Sequence, residues 1–155
     1  MDPTQETIDY IAVRRLQDAY ADVVSRRAWG ELEDLFLPDV SVIVDVRADA
    51  PYVFNGPQEF ATFVAKQVDR FEFFQFVILN SVLTLAPEGD PDVATGRMHM
   101  SELRQHHADG RWTLIYGLYR DRYTRIDGRW WFAERRYSSL ARTQPEMDVF
   151  GYPEM

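Results

Sequence analysis

The sequence contains no cysteine, which removes disulfide frameworks, thiolate catalysis and cysteine-ligated metals from consideration. Histidine is scarce, with only His99, His106 and His107. An adjacent pair in a loop rarely converges on an ion without a third ligand, so no metal is expected. No apolar run approaches membrane-spanning length, and Met1-Asp2-Pro3-Thr4-Gln5-Glu6 has neither the basic start nor the apolar core of a secretory leader. A cytoplasmic location is the expectation. Basic residues number 17 against 25 acidic ones, and the net charge of −8 repels phosphate backbones and anionic membranes. Neither nucleic acid nor a membrane is an expected partner. The pairs Arg14-Arg15, Arg26-Arg27 and Arg135-Arg136 are flanked by acids or apolar residues and read as solvated faces. Repeats, low-complexity segments and linkers are also missing, so 155 residues make one domain.

With 46% hydrophobic and 14% aromatic residues, there is enough apolar material for an independent core. The strongest local signal is a hairpin from Trp112 to Tyr137. Thr113, Ile115, Gly117, Tyr119, Asp121 and Tyr123 share one face of its first strand, and Trp112, Leu114, Tyr116 and Leu118 share the other. Asp127-Gly128 supplies a tight turn, and Trp130-Trp131-Phe132 begins the return strand. A hairpin apolar on both faces belongs inside a larger sheet.

Upstream, Ile8, Ile11, Leu16, Ala19, Tyr20 and Val23 recur at helical spacing, which predicts an amphipathic helix over 7–24. A short helix is expected from Trp29 to Leu37, ended by Pro38-Asp39, followed by a β-branched strand over 40–46 with Tyr52-Val53-Phe54 as its partner. Gly56-Pro57 opens a third helix, with Phe60, Phe63 and Val64 on its apolar face. The run from Phe73 to Leu85 reads as a buried strand. In the next strand Ala94, Gly96, Met98 and Met100 line one face, and Glu102 extends their row. Helices first and long antiparallel strands afterwards make an α+β domain over 1–141. The tail, 142–155, with Pro145, Phe150, Tyr152 and Pro153, reads as a flexible end or a flap over a pocket.

Several of these patterns in this order resemble the SnoaL-like branch of the nuclear transport factor 2-like superfamily. They are Tyr20 with Trp29, Leu35-Phe36-Leu37-Pro38-Asp39, Gly56-Pro57, Asn80, Ala94-Thr95-Gly96-Arg97, Tyr119-Arg120-Asp121-Arg122-Tyr123 and Ile126-Asp127-Gly128-Arg129-Trp130. The resemblance covers nearly the whole chain. It implies a cone-shaped, curved mixed sheet wrapped as a half-barrel around the early helices, enclosing a deep apolar cavity. It also implies proton transfer on hydrophobic, often cyclic small molecules without a metal or organic cofactor, and homodimers formed through the convex sheet face. Relatives such as scytalone dehydratase and bile acid 7α-dehydratase use an aspartate–histidine dyad. Those two positions fall here on Ser25 and Phe76, and an arginine of the bile acid enzyme falls on Ser139. Glu102 stands where that enzyme has a functional aspartate.

Candidate catalytic residues are therefore Tyr20, Glu102, Tyr119 and Asp121, with Ser25, Phe60, Phe74, Phe76, Met98 and Met100 as substrate contacts. Glu102, at the end of an apolar row, is placed for partial desolvation and hence for a raised pKa useful in proton transfer. It could equally sit at a rim and pair with Arg104. Asp121 beside Tyr119 could stabilise an enolate, as a buried, protonated aspartic acid beside a tyrosine does in ketosteroid isomerase, or it could pair with Arg97, Arg104 or Arg135. Tyr20 and Tyr119 could bond a substrate oxygen or serve as ordinary core tyrosines. Two functions follow: a cofactor-independent lyase, isomerase or cyclase, or a non-catalytic small-molecule-binding or protein-interaction module on the same fold.

Overall fold

A computed structural model describes residues 2–143 and 147–155. Helix α1 (Pro3–Ser25) is capped by Asp2, whose carboxylate accepts from the Gln5 backbone N–H, with Pro3 in the first turn where its missing N–H costs nothing. Its buried side is Asp9, Val13, Leu16, Gln17, Tyr20, Val23 and Val24. Ile8 and Ile11 lie exposed instead, because the first turns are oriented by Asp9. That carboxylate accepts from Arg125 (2.7 Å), Gln5 (3.1 Å) and the Trp130 indole (3.3 Å), tying the helix to the sheet.

The expected second helix is a 3₁₀ turn, Trp29–Asp34, and the chain is already extended by Phe36. Tertiary packing overrides the local pattern there. The Phe36 ring stacks on Phe132 at 4.8 Å, and Leu35 O accepts from Phe132 N, drawing the segment into strand β1 (Phe36–Asp45). Pro38 falls in a register shift between Phe36 and Ser41, where it removes no ladder bond. Strand β2 (Tyr52–Asn55) pairs with β1 as expected. Helix α2 (Pro57–Val68) follows Gly56.

The long strands β3 (Phe71–Leu85), β4 (Val93–His106), β5 (Trp112–Ile126) and β6 (Arg129–Arg142) form an antiparallel meander. The order across the sheet is β2-β1-β6-β5-β4-β3, with β1 parallel to β6 and the short β7 (Asp148–Val149) against the end of β6. This is the curved mixed sheet around the early helices that the sequence predicts. The β5–β6 turn has Asp127 (φ 50°) and Gly128 (φ 77°) both in the left-handed region, the geometry of a tight hairpin whose twist matches its strands.

One sheet face packs on α1 and α2 around Tyr20, Phe36, Phe60, Tyr119, Tyr123 and Phe132. The other is convex. Of the expected tail, residues 144–146 lie outside the described residues. Beyond them the chain pairs with β6 and crosses onto the convex side, with Tyr152 against His99 and Arg120 donating to the Glu154 carbonyl. Among the described residues no helix is long and apolar enough to cross a membrane.

Candidate functional site

The register of the sheet sets the concave face out in rows. Phe74 stands opposite Arg104, and Arg104 opposite Thr113. The next row is Phe76, Glu102, Ile115 and Arg142, followed by Ile78, Met100, Gly117 and Ser139, then by Tyr119 beside Tyr137. Helix α2 faces these rows with Phe60, Phe63, Val64 and Gln67, and α1 with Tyr20 and Val24. Between them lies an open cavity of about 330 Å³. Its wall is mostly aromatic and aliphatic, which suits a small hydrophobic ligand held by a few polar groups.

Glu102 lines this cavity, its side chain 21% exposed, and burial pushes its carboxyl above the ordinary glutamate range against the pull of Arg104 and Arg70. The Arg104 pairing weighed from the sequence does exist, at 3.7 Å between Nη1 and Oε2. That is an ion pair too long for a hydrogen bond, so Glu102 is attracted by Arg104 without being saturated by it.

Tyr20 and Tyr119 line the same cavity. Burial raises both phenols, Arg135 working in the opposite direction, so both hydroxyls stay protonated at neutral pH and serve as donors. Tyr137, which the sequence did not single out, joins them. Burial raises it too, with the nearby Glu102 charge adding to the shift, and its hydroxyl lies 3.1 Å from Ser139 Oγ. The signal for Tyr137 is Gly117. A Cβ at that position would lie 2.2 Å from the Tyr137 ring, so only glycine lets the phenol fold down into the wall. Gly117→Ala is expected to displace the ring and to cost about 1–3 kcal/mol, read as a lower urea midpoint with unchanged slope. An unchanged midpoint would show that the phenol has another place to go.

Asp121 is held elsewhere. Its carboxylate receives Arg135 Nε (2.8 Å), Arg135 Nη2 (3.0 Å) and the Tyr123 hydroxyl (2.9 Å), all buried. Tyr123 in turn accepts from Gln17 Nε2 (2.7 Å), and Gln17 Oε1 accepts from Ser81 and Arg14. Asp121 is therefore the centre of a network joining α1 to the sheet, outside the cavity wall. Arg135, read from sequence as part of a solvated pair, is fully buried, since the Tyr20, Tyr119 and Phe132 rings surround its guanidinium at 4.1, 3.9 and 4.4 Å.

The expected contacts Phe60, Phe74 and Phe76 do line the cavity. Met98 and Met100 are fully buried and do not reach it. Ser25 does not reach it either: its hydroxyl accepts from the Phe76 backbone N–H at 3.0 Å and fastens the end of α1 to β3. The two positions where relatives carry a dyad are thus joined to each other here, with the Phe76 ring turned onto Tyr20 at 5.3 Å. Arg70, Arg104, Ser139 and Arg142 also line the cavity and were not among the expected site residues. Among the described residues no three histidine, aspartate or glutamate side chains come together to hold a metal ion.

Known proteins share this architecture. The structure is similar to a protein from Novosphingobium aromaticivorans DSM 12444 provisionally named a scytalone dehydratase, with TM-score 0.80 and 17% identity over 97% of this chain and 99% of that one. It is similar also to hexachlorocyclohexane dehydrochlorinase LinA-type3 from Novosphingobium barchaimii LL02, with TM-score 0.75 and 21% identity over 97% and 99%. An NTF2-like protein with a cystatin-like fold from Novosphingobium aromaticivorans gives TM-score 0.72 and 17% identity over 88% and 85%. At these identities the likeness is one of fold. The sequence model of the SnoaL-like domain matches residues 5–136, most of the chain and every strand that walls the cavity except the last residues of β6. The chain belongs to the SnoaL-like domain family.

Proposed function

We propose that the protein is a cofactor-independent lyase, isomerase or cyclase that acts by proton transfer on a hydrophobic, cyclic small molecule. The observation that carries this reading is Glu102, a carboxylate whose ionisation burial disfavours, lining an aromatic cavity beside phenols that remain protonated. Such a group is a stronger base than an exposed glutamate once ionised. Glu102 takes a proton from a ring carbon. Tyr20 and Tyr119, with Tyr137, donate hydrogen bonds to the oxygen or leaving group on which charge develops. Phe60, Phe74 and Phe76 hold the ring and exclude water.

The alternative of a non-catalytic module calls for a filled cavity and a Glu102 neutralised at the surface. The open cavity and the loose Arg104 contact favour the catalytic reading. The test is incubation of the purified protein in deuterium oxide with a panel of cyclic ketones and hydroxylated or halogenated ring compounds, followed by mass spectrometry. Deuterium at a ring carbon, or loss of the leaving group, is expected for compounds that bind. Tight binding with neither outcome across the panel counts against it.

We also propose that two copies pair through the convex face. Phe73 and Trp112, 40% and 52% exposed, pack together there at 5.6 Å, with Val77, Leu79 and Tyr116 exposed alongside. Leu118, expected in the same stripe, is already buried within the fold. Sedimentation at micromolar concentration is expected to show a dimer that Trp112→Glu converts to monomer. A monomer before substitution overturns the pairing.

A further inference from the structure

The polar groups of the cavity are not spread evenly. The phenols lie toward one end, and the guanidiniums gather at the other. Arg104 projects one row beyond Glu102, and Arg142 shares the row of Glu102 through Ile115. Arg70 reaches in from the junction of α2 and β3, its Nε bonded to Gln67 O at 3.1 Å. Three arginines thus line a cavity in which Glu102 is the one carboxylate among the described lining residues.

These side chains are only partly committed. Arg104 gives Nε to Thr113 Oγ1 (3.2 Å), and Arg142 gives Nε to Asp148 (3.2 Å) and Nη1 to Val46 O (2.9 Å). Among the described residues, Nη2 of Arg104, Nη2 of Arg142 and both Nη atoms of Arg70 meet no hydrogen-bond acceptor. Arg70 is solvated at the mouth and Arg142 has Asp148 as a counter-charge, so neither alone demands an anion. Arg104 is different. Its side chain is only 12% exposed and leans on the Phe71 ring at 4.9 Å. Burial disfavours its charge, which Glu102 supports and the neighbouring Arg70 and Arg142 further oppose. A largely desolvated guanidinium with a free N–H edge, facing an apolar cavity beside two like charges, has only the loose Glu102 contact as its counter-charge.

We propose that this end of the cavity receives a carboxylate of the ligand, so that the bound molecule is an apolar ring system bearing a carboxylic acid. The planar fork of Arg104 matches a carboxylate in a way that a point charge would not, and Arg70 and Arg142 flank it. The ring then lies among Phe60, Phe74 and Phe76, with its far edge toward Tyr20 and Tyr119 and its flank toward Glu102. A cavity of about 330 Å³ has room for one or two fused rings and a single small acid group. The inference rests on the cavity being the substrate site, and it adds which class of molecule enters and which end leads.

Titration calorimetry on the full chain with 2-naphthoate and its neutral isostere 2-naphthamide tests it. Naphthoate is expected to bind at least about tenfold more tightly at low salt, a preference of ~1.4 kcal/mol. Arg104→Gln should bring naphthoate down to the affinity of the amide while leaving the amide unchanged. Arg70→Gln, at an exposed position that keeps the fold whatever becomes of the first variant, should weaken naphthoate about threefold and the amide not at all. Equal affinity for the two compounds overturns the carboxylate assignment and leaves the cavity reading standing. A naphthoate preference left undiminished by both Arg104→Gln and Arg70→Gln overturns it as well. Binding of neither compound at millimolar concentration overturns both.

Discussion

Glu102→Gln is expected to abolish deuterium transfer to bound substrate, lowering the rate by about 10²–10⁴-fold while ligand affinity stays within a few-fold. The amide keeps the shape of the carboxyl but can neither accept nor release the proton at issue. A second effect runs the other way. Burial raises the Glu102 carboxyl in the fold, while in the unfolded chain it ionises at its ordinary value. The native state therefore holds this proton to higher pH than the unfolded state does. From the unfolded value upward, ionising Glu102 weakens the fold, and that loss is complete once pH has passed the raised native value. Glutamine removes the penalty. Thermal unfolding should show the variant more stable than its parent at pH 8 and the gap closing as pH falls toward 4. Full activity in Glu102→Gln sinks the proton-transfer assignment; an inactive variant with no gain at pH 8 keeps the role and denies the strain.

Asp121→Asn is expected to be the more damaging change to the fold. Arg135 is fully buried, bonded twice to Asp121, with Nη1 left against ring faces and no acceptor. Removing the counter-charge strands a guanidinium in a low-dielectric interior, a loss of about 3–5 kcal/mol. For a chain of this size that amounts to roughly 10 °C or more in Tm. The Tyr123 hydroxyl and the Gln17 amide lose their orientation with it. The paired replacement Asp121→Leu with Arg135→Met leaves neither charge without its partner and should recover most of the stability. Urea unfolding of the three proteins separates these outcomes. A loss below about 1 kcal/mol for Asp121→Asn would show that water reaches Arg135.

The two carboxylates show what could be read from sequence and what could not. Alternation placed Glu102 and Asp121 on the concave face, and both are there. Parity gives the face of a strand, but not the level. Ile115, the partner of Glu102, lies six residues before Asp121 on β5, about 20 Å along the strand, and the cavity ends between them. Met98 and Met100 mark a further limit: they share rows with Tyr119 and Ser139, which do line the cavity, so even face and level together do not say which side chain of a row reaches it. The long strands and the Asp127-Gly128 turn were legible because periodicity and turn chemistry are local. The 3₁₀ turn at Trp29–Asp34 was not, since the Phe36–Phe132 stack that reshapes it joins residues far apart in the chain. Arg70, Arg104 and Arg142 escaped for a related reason: an arginine at a strand end or helix junction looks solvated until the opposite wall is known.

The parallel pairing of β1 with β6 gives the cavity a particular dependence on the chain. Ser41 stands opposite Glu134, so the strand that follows the first helix, paired on one edge with β2, finds its second neighbour only in the last long strand. The β3–β6 meander can assemble from adjacent hairpins, but closing a loop of that length is a separate entropic step that local structure does not offset. Until it closes, β1 has one open hydrogen-bonding edge, and Tyr20 has neither Phe36 nor Phe132 beside it. The binding chamber is therefore a property of the nearly complete chain. A fragment lacking β6 keeps the helices and the other five strands that line the cavity, yet has no enclosed space in which Glu102 could be desolvated.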